Sequence, residues 1–223
     1  MELTTALQMT PGVTAVIGGG GKTTLLYALA DELQRVGRVI VCTTTHILPP
    51  AHLPCVLSGG ESALRGALEQ GSVICAGTQA ENGKLTAPEV SFDVLVHLAD
   101  YVLVEADGSK GLPMKAHAAH EPVIPPEADQ TICVVGASGF GKPVRLAAHR
   151  PELYAARLGV RLETIVTPEL AAQYLNLERL HTRVLVNQCD TPEQQAFACR
   201  FAAQAESPVC IGALQKGWLK CLF

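Results

Sequence analysis

Short apolar runs alternate along this chain with stretches whose apolar residues recur every three or four positions. Runs near 13–17, 38–43, 101–105, 131–135, 183–187 and 209–212 read as buried strands. Stretches near 22–36, 61–70, 88–98, 151–158, 168–176 and 192–205 read as helices. That alternation predicts an α/β fold, a mainly parallel sheet flanked by helices, in one domain spanning residues 1–223.

Two stretches interrupt the pattern. Residues 73–76 and 84–86 flank Asn82-Gly83, a hairpin-turn pair, and predict a small antiparallel excursion near 73–86. Residues 106–126 hold four prolines and no clear period, and loops of that length inside a compact domain are usually functional or disordered. By contrast, 136–143 reads as a flexible connection, because Pro143 and the lack of an immediate helix argue against a second nucleotide loop.

Composition narrows the class. With 48% hydrophobic residues in 223, the chain can bury one large core. A formal charge of −4 and no basic run argue against nucleic acid as a partner. No apolar run approaches the ~20 residues of a membrane helix, and Met1-Glu2-Leu3-Thr4-Thr5 lacks a basic leader, so no membrane partner and a cytoplasmic location are expected. The eight cysteines form no C-x-x-C pair, and reduced core thiols are their expected state.

The chemistry concentrates at strand ends. Ile17-Gly18-Gly19-Gly20-Gly21-Lys22-Thr23-Thr24 joins a short apolar strand to a helix. Glycines there can bend freely and turn backbone N–H groups toward an anion, and the helix start adds its positive dipole end. This predicts a P-loop NTPase-like phosphate cradle binding ATP or GTP through Gly18, Gly19, Gly20, Gly21, Lys22, Thr23 and Thr24, although Val16 stands where the full GxxxxGK[ST] pattern has its first glycine. Lys22 is expected to reach the β- and γ-phosphates as a solvent-facing residue, and the Thr23 hydroxyl to ligate Mg²⁺.

The run at 101–105 ends in Glu105-Ala106-Asp107-Gly108, two carboxylates where a P-loop fold needs an acid for Mg²⁺ and for orienting an attacking group. Glu105 and Asp107 are therefore the catalytic candidates with Lys22, and Asp107 the candidate Mg²⁺ ligand with Thr23; a solvated strand end is the alternative. The loop beyond carries Lys110, Lys115, His120 and Glu121, candidates for the substrate site, where the two lysines suit an anionic substrate or the γ-phosphate; a solvated surface loop is the alternative. Thr45 and His46 follow the strand near 38–43 at the same edge, and Arg150 opens the helix near 151 as either a phosphate clamp or a surface charge.

Asn187-Gln188-Cys189-Asp190 follows a late strand. It fits a guanine-reading N-K-x-D with Gln188 in place of the lysine, with Asn187 and Asp190 as the readers, and equally an Asn/Asp turn before Thr191-Pro192.

The blocks Gly20-Gly21-Lys22-Thr23-Thr24, Thr43-Thr44-Thr45-His46, Glu105-Ala106-Asp107-Gly108-Ser109-Lys110, His120-Glu121-Pro122-Val123-Ile124-Pro125, His149-Arg150-Pro151-Glu152 and Asn187-Gln188-Cys189-Asp190, in this order, resemble the YqeC family. His117 departs from it, standing where the family usually has proline. The resemblance implies a nucleotide-binding accessory protein acting in maturation of a selenium-dependent molybdenum hydroxylase or its cofactor, with the enzyme or the anionic molybdenum cofactor as partner. Selenium handling by a thiol such as Cys42 or Cys189 is compatible with it. Three functions stay open: an NTP-hydrolysing accessory protein, a small-molecule kinase or ligase, and a nucleotide-gated module that does not hydrolyse.

Overall fold

Nine strands form the central sheet of the computed structural model, which describes residues 2–81 and 83–222. The first half carries α1 (Leu3–Ala6), β1 (Gly12–Gly18), α2 (Lys22–Leu33), β2 (Val39–Thr43), β3 (Cys55–Val56), α3 (Gly60–Gln70), β4 (Val73–Ala76), β5 (Thr78–Gln79), β6 (Leu85–Thr86), α4 (Phe92–Leu98) and β7 (Tyr101–Glu105). The second half carries β8 (Met114–Lys115), β9 (Ala128–Gly136), α5 (Val144–Ala147), β10 (Ala148–His149), α6 (Pro151–Leu158), α7 (Pro168–Glu178), β11 (Arg183–Asn187), α8 (Pro192–Ala202), β12 (Val209–Ala213) and β13 (Trp218–Leu222).

The order across the sheet is β13-β12-β11-β9-β1-β7-β2-β4-β3, parallel throughout except for β13 on β12. β1 lies inside it, in register with β7 on one side and β9 on the other. Its run Val-Thr-Ala-Val-Ile is buried on both faces, as a parallel strand covered by helices must be. Alternation divides those side chains: Val13, Ala15 and Ile17 face the layers built with α3 to α8, while Val16 packs against Leu25, Leu26 and Leu29 of α2. The loop after β1 therefore opens between the C-terminal ends of β7 and β9, the crevice where open α/β sheets bind ligands.

Caps fix the later helices. Thr191 and Gln194 form a reciprocal capping box at α8, with Pro192 in its first turn, and Thr167 accepts from Leu170 N at 3.2 Å at α7.

Several expectations need correction. The helix placed at 22–36 ends at Leu33, and the one placed at 88–98 starts at Phe92, after Pro88 and the extended Ser91. Residues 73–76 belong to the main parallel sheet as β4; the antiparallel excursion is the smaller pair β5 and β6, and Asn82 of its turn lies outside the described residues. The connection at 136–143 is an ordered 3-10 turn leading into α5, tied by Gly141 N to Val166 O at 2.9 Å. Cys210 and Cys221 stand opposite each other on β12 and β13 and are bonded as a disulfide, while the other six cysteines are thiols. No described helix is long and apolar enough to cross a membrane.

Candidate functional site

Gly18, Gly20 and Gly21 all have positive φ (94°, 77° and 118°), a path that side chains with a Cβ rarely follow. At Gly20 a Cβ would also lie 2.3 Å from Gly136 N. The strand, glycine turn and helix thus form as the sequence suggests, but the turn's N–H groups are shared differently. Gly18 N donates to Asp107 Oδ2 at 2.8 Å, Gly19 N to Val134 O at 2.9 Å and Gly20 N to Leu112 O at 3.1 Å. The first three glycines are bound into the protein. The donors left to face an anion are those of the N-cap Gly21 and of Lys22, Thr23 and Thr24 at the start of α2, which have no intrahelical acceptor.

Lys22 is not solvent-facing. It is 4% exposed and folded back onto Gly18 O at 2.8 Å, with Asp107 Oδ1 at 3.0 Å and Glu105 Oε1 at 3.8 Å. The two carboxylates flanking it do different work. Glu105 Oε2 accepts from the Thr23 hydroxyl at 2.7 Å; burial raises its carboxyl above the usual range, against the pull of Lys22 and Thr23. Burial would also raise Asp107, but the hydrogen bond from His117 and the charges of Lys22 and Lys115 outweigh it and hold the carboxyl down at about 2.

Behind Asp107 runs a buried polar chain with no local signature in the sequence. His117 Nε2 meets Asp107 Oδ2 at 2.7 Å and its Nδ1 meets Glu178 Oε2 at 2.8 Å, so burial, which lowers an imidazole, is overcome and His117 is raised above the ordinary value. Glu178 in turn accepts from Tyr174 OH at 2.6 Å and pairs with Arg157, which also donates to His117 O at 2.7 Å. Periodicity could not find these partners, because Glu178 lies 61 positions from His117. The one available hint was the type of residue, since a buried ionisable side chain needs an opposite charge.

Lys115 also differs from expectation. Its side chain is fully buried, donating to Gly108 O at 2.5 Å and pairing with Glu121 Oε1 at 2.7 Å and Asp107 Oδ2 at 3.5 Å. Burial lowers its ammonium to about 8. Arg150, in the left-handed region at φ 60°, pairs with the same Glu121 Oε1 and brings one guanidinium nitrogen to 3.3 Å from His120 Nε2.

Across the loop, the end of β11 uses uncharged groups. Asn187 is 5% exposed; its Nδ2 donates to Gly20 O at 2.9 Å and its Oδ1 accepts from Leu214 N at 3.1 Å. Both ends of the amide are thereby occupied in fastening the loop to the end of β12, so Asn187 is a tether. Gln188 turns to Ser138 Oγ at 2.5 Å, and the exposed Asp190 pairs with Lys216 at 3.4 Å. Gln188, Asp190 and Leu214 line a cavity of about 220 Å³ that reaches Gly21 and Thr24. On the other side of Gly21 a cleft of about 800 Å³ opens, edged by Lys22, Thr23 and Glu105 and bounded by Thr45, His46, Lys110, His120, Glu121 and His149. The structure thus gathers Lys22, Thr23, Glu105, Lys110, His120 and Glu121 at one cleft, and leaves Asp107 and Lys115 beneath its floor.

A glycine turn between a central parallel strand and a helix, with Lys-Thr at the helix start and a carboxylate on the next strand, defines a P-loop type of α/β protein. The model of the YqeC protein family matches residues 14–152. The chain is 37% identical over 182 residues to the uncharacterized protein YqeC of Escherichia coli (strain K12), covering 78% of this chain and 68% of that one. It belongs to the YqeC family. Among solved structures it is similar to the signal recognition particle 54 kDa protein of Aeropyrum pernix K1 in complex with GDP, at a TM-score of 0.41 and 14% identity, over 96% of this chain and 44% of that one. The chain spans less than half of that protein, and the likeness is too distant to carry its ligand across.

Proposed function

We propose that the protein binds a Mg²⁺-nucleoside triphosphate across Gly21. The observation that carries this reading is the Thr23 hydroxyl set 2.7 Å from Glu105 Oε2 beside the open first turn of α2. The N–H groups of Lys22, Thr23 and Thr24 would cradle the phosphates, and Lys22 would exchange Gly18 O for phosphate oxygen. The base would lie in the smaller cavity against Gln188, with Asp190 as its one carboxylate reader, which favours guanine.

Thr23 and Glu105 supply the hard oxygen donors that Mg²⁺ prefers, and both edge the cleft, so this pair fits the metal. Asp107 fits poorly: its side chain has no exposure and its oxygens already serve Gly18 N, Lys22, Lys115 and His117. Its role is to hold Lys22 and the loop. Bound between Thr23 and the phosphates, Mg²⁺ supplies neutralisation of negative charge at the β- and γ-oxygens. Burial raises the Glu105 carboxyl above its usual range, and a bound cation would favour its ionised form.

What supports placing this nucleotide cycle in maturation of a selenium-dependent molybdenum hydroxylase or its cofactor is the motif resemblance carried by the blocks at 105–110 and 120–125. The test is genetic and enzymatic together. Cells lacking the gene should lose molybdenum hydroxylase activity, wild type should restore it, and Lys22→Met should not. Full restoration by a Lys22→Met protein that no longer binds nucleotide would sink the proposal.

A further inference from the structure

The cleft of about 800 Å³ is larger than a phosphate tail entering at Lys22 and Thr23 requires, and the base has its own cavity on the far side of Gly21. Besides the loop edge, the cleft has a wall lined by His120, Glu121 and His149, while Lys110 and Gly111 adjoin the glycine loop through Ser109, 3.3 Å from Lys22 Nζ, and Leu112, whose O accepts from Gly20 N at 3.1 Å. A space of that size is typical of a pocket for a whole small molecule.

The wall's charge indicates what kind. Glu121 is its one carboxylate, and its Oε1 is met by both Lys115, at 2.7 Å, and the Arg150 guanidinium. Three cations, Lys110, Lys115 and Arg150, thus stand against two acids, Glu121 and the Asp107 that Lys115 also meets at 3.5 Å, before any histidine is protonated, and Lys110 is the cation in excess. Of these, Lys115 is sealed in, whereas Lys110 sits on an exposed turn with φ 51° and His120 is exposed beside Arg150. Next to a triphosphate, a second anion meets strong repulsion unless fixed positive charge offsets it. A neutral acceptor would need no such wall.

We infer that this wall is the subsite of a second substrate, a small molecule carrying a phosphate or carboxylate group. Lys110 and His120 touch that group, and the Arg150–Glu121–Lys115 cluster supplies the positive field behind them. The inference rests on the nucleotide reading above, and it favours transfer to an acceptor over simple hydrolysis.

The test is titration calorimetry on protein loaded with Mg²⁺ and a β,γ-imido GTP analogue, using glycerol 3-phosphate and succinate as separate probes. One of the two should bind saturably, its identity telling phosphate from carboxylate, and the exposed pair Lys110→Ala with His120→Ala should weaken it at least tenfold. Binding of neither probe, or equal binding to the double variant, overturns the subsite. So does loss of the analogue itself in that variant, which would place Lys110 and His120 on the nucleotide. Should the analogue fail to bind wild type, the nucleotide reading fails alone. The probes then go into unloaded protein, where saturation dependent on Lys110 and His120 supports the subsite and its absence overturns it.

Discussion

The two strand ends that grip the glycine loop do so by opposite means. At the end of β7 the loop is held by charge: Asp107 binds Gly18 N and Lys22, and a buried chain through His117 and Glu178 stands behind it. At the end of β11 it is held by a neutral amide, Asn187, which joins Gly20 O to Leu214 N. The charged grip carries the group that a phosphate would recruit. The neutral grip can shape the loop and the adjoining base cavity without competing for that phosphate. A site built this way separates holding the loop from changing its partner.

That contrast is sharpest in Asp107→Asn. Breaking a buried ion pair from one side typically costs about 3–5 kcal/mol, and Asp107 faces Lys22, Lys115 and His117 at once. Thermal melts should show a loss of roughly 10 °C, at about 2–4 °C per kcal/mol for a chain of this size. Glu105→Gln, only two positions away, should leave the melt unchanged or raise it, because burial already disfavours the Glu105 charge. Equal melting losses in the two variants would erase the distinction between them.

Lys22→Met breaks one of the buried Asp107 pairs from the other side, so it should lower the melt as well as the affinity. Hydrogen bonds to charged groups contribute about 1.5–3 kcal/mol, so nucleotide affinity should fall roughly 10- to 100-fold at about 1.4 kcal/mol per decade. Calorimetry on protein shown to be folded by circular dichroism checks this. On the neutral side, Asn187→Ala leaves Gly20 O and Leu214 N without their amide partner, for about 1–3 kcal/mol, and should loosen the loop without altering Mg²⁺ dependence. Hydrogen exchange at residues 18–21 reads that loosening.

The charged grip should also impose a pH dependence that the neutral one lacks. His117 is raised above 6.5, so its stabilisation is complete below that pH and is lost as pH rises through its higher native value. Asp107 is lowered from 3.8 to about 2, so its contribution is present above 3.8 and lost as pH falls toward 2. His117→Gln should flatten the alkaline limb and move the acid limb to higher pH, because His117 also helps hold the Asp107 carboxyl down. A smaller effect is expected at the base: GTP should bind more tightly than ATP by up to about tenfold, and Asp190→Asn should remove the difference.

What the sequence made legible was local. The glycine run, Lys22, Thr23 and the Glu105–Asp107 pair announce themselves within a few residues of a strand end, and the parallel sheet follows from runs that are apolar on both faces. The division of labour between Glu105 and Asp107 could not be read, because it depends on His117, which depends on Glu178 from a helix 61 positions away. Lys115 looked like a substrate ligand for the same reason: its three partners lie on a loop whose path no period predicts. The edge strands escaped notice by size. β3 has two residues, and β13 lies against β12 through an antiparallel register and the Cys210–Cys221 bond.

The most direct measurement is a calorimetric titration of GTP into the wild-type protein with Mg²⁺ present and again with it chelated, repeated on Glu105→Gln. Saturable one-to-one binding that weakens about tenfold or more without Mg²⁺, and a Glu105→Gln protein indifferent to the metal, is the expected result. Absence of binding to GTP and ATP alike, or a Glu105→Gln protein with undiminished Mg²⁺ dependence, would contradict the assignment of the loop and its carboxylate.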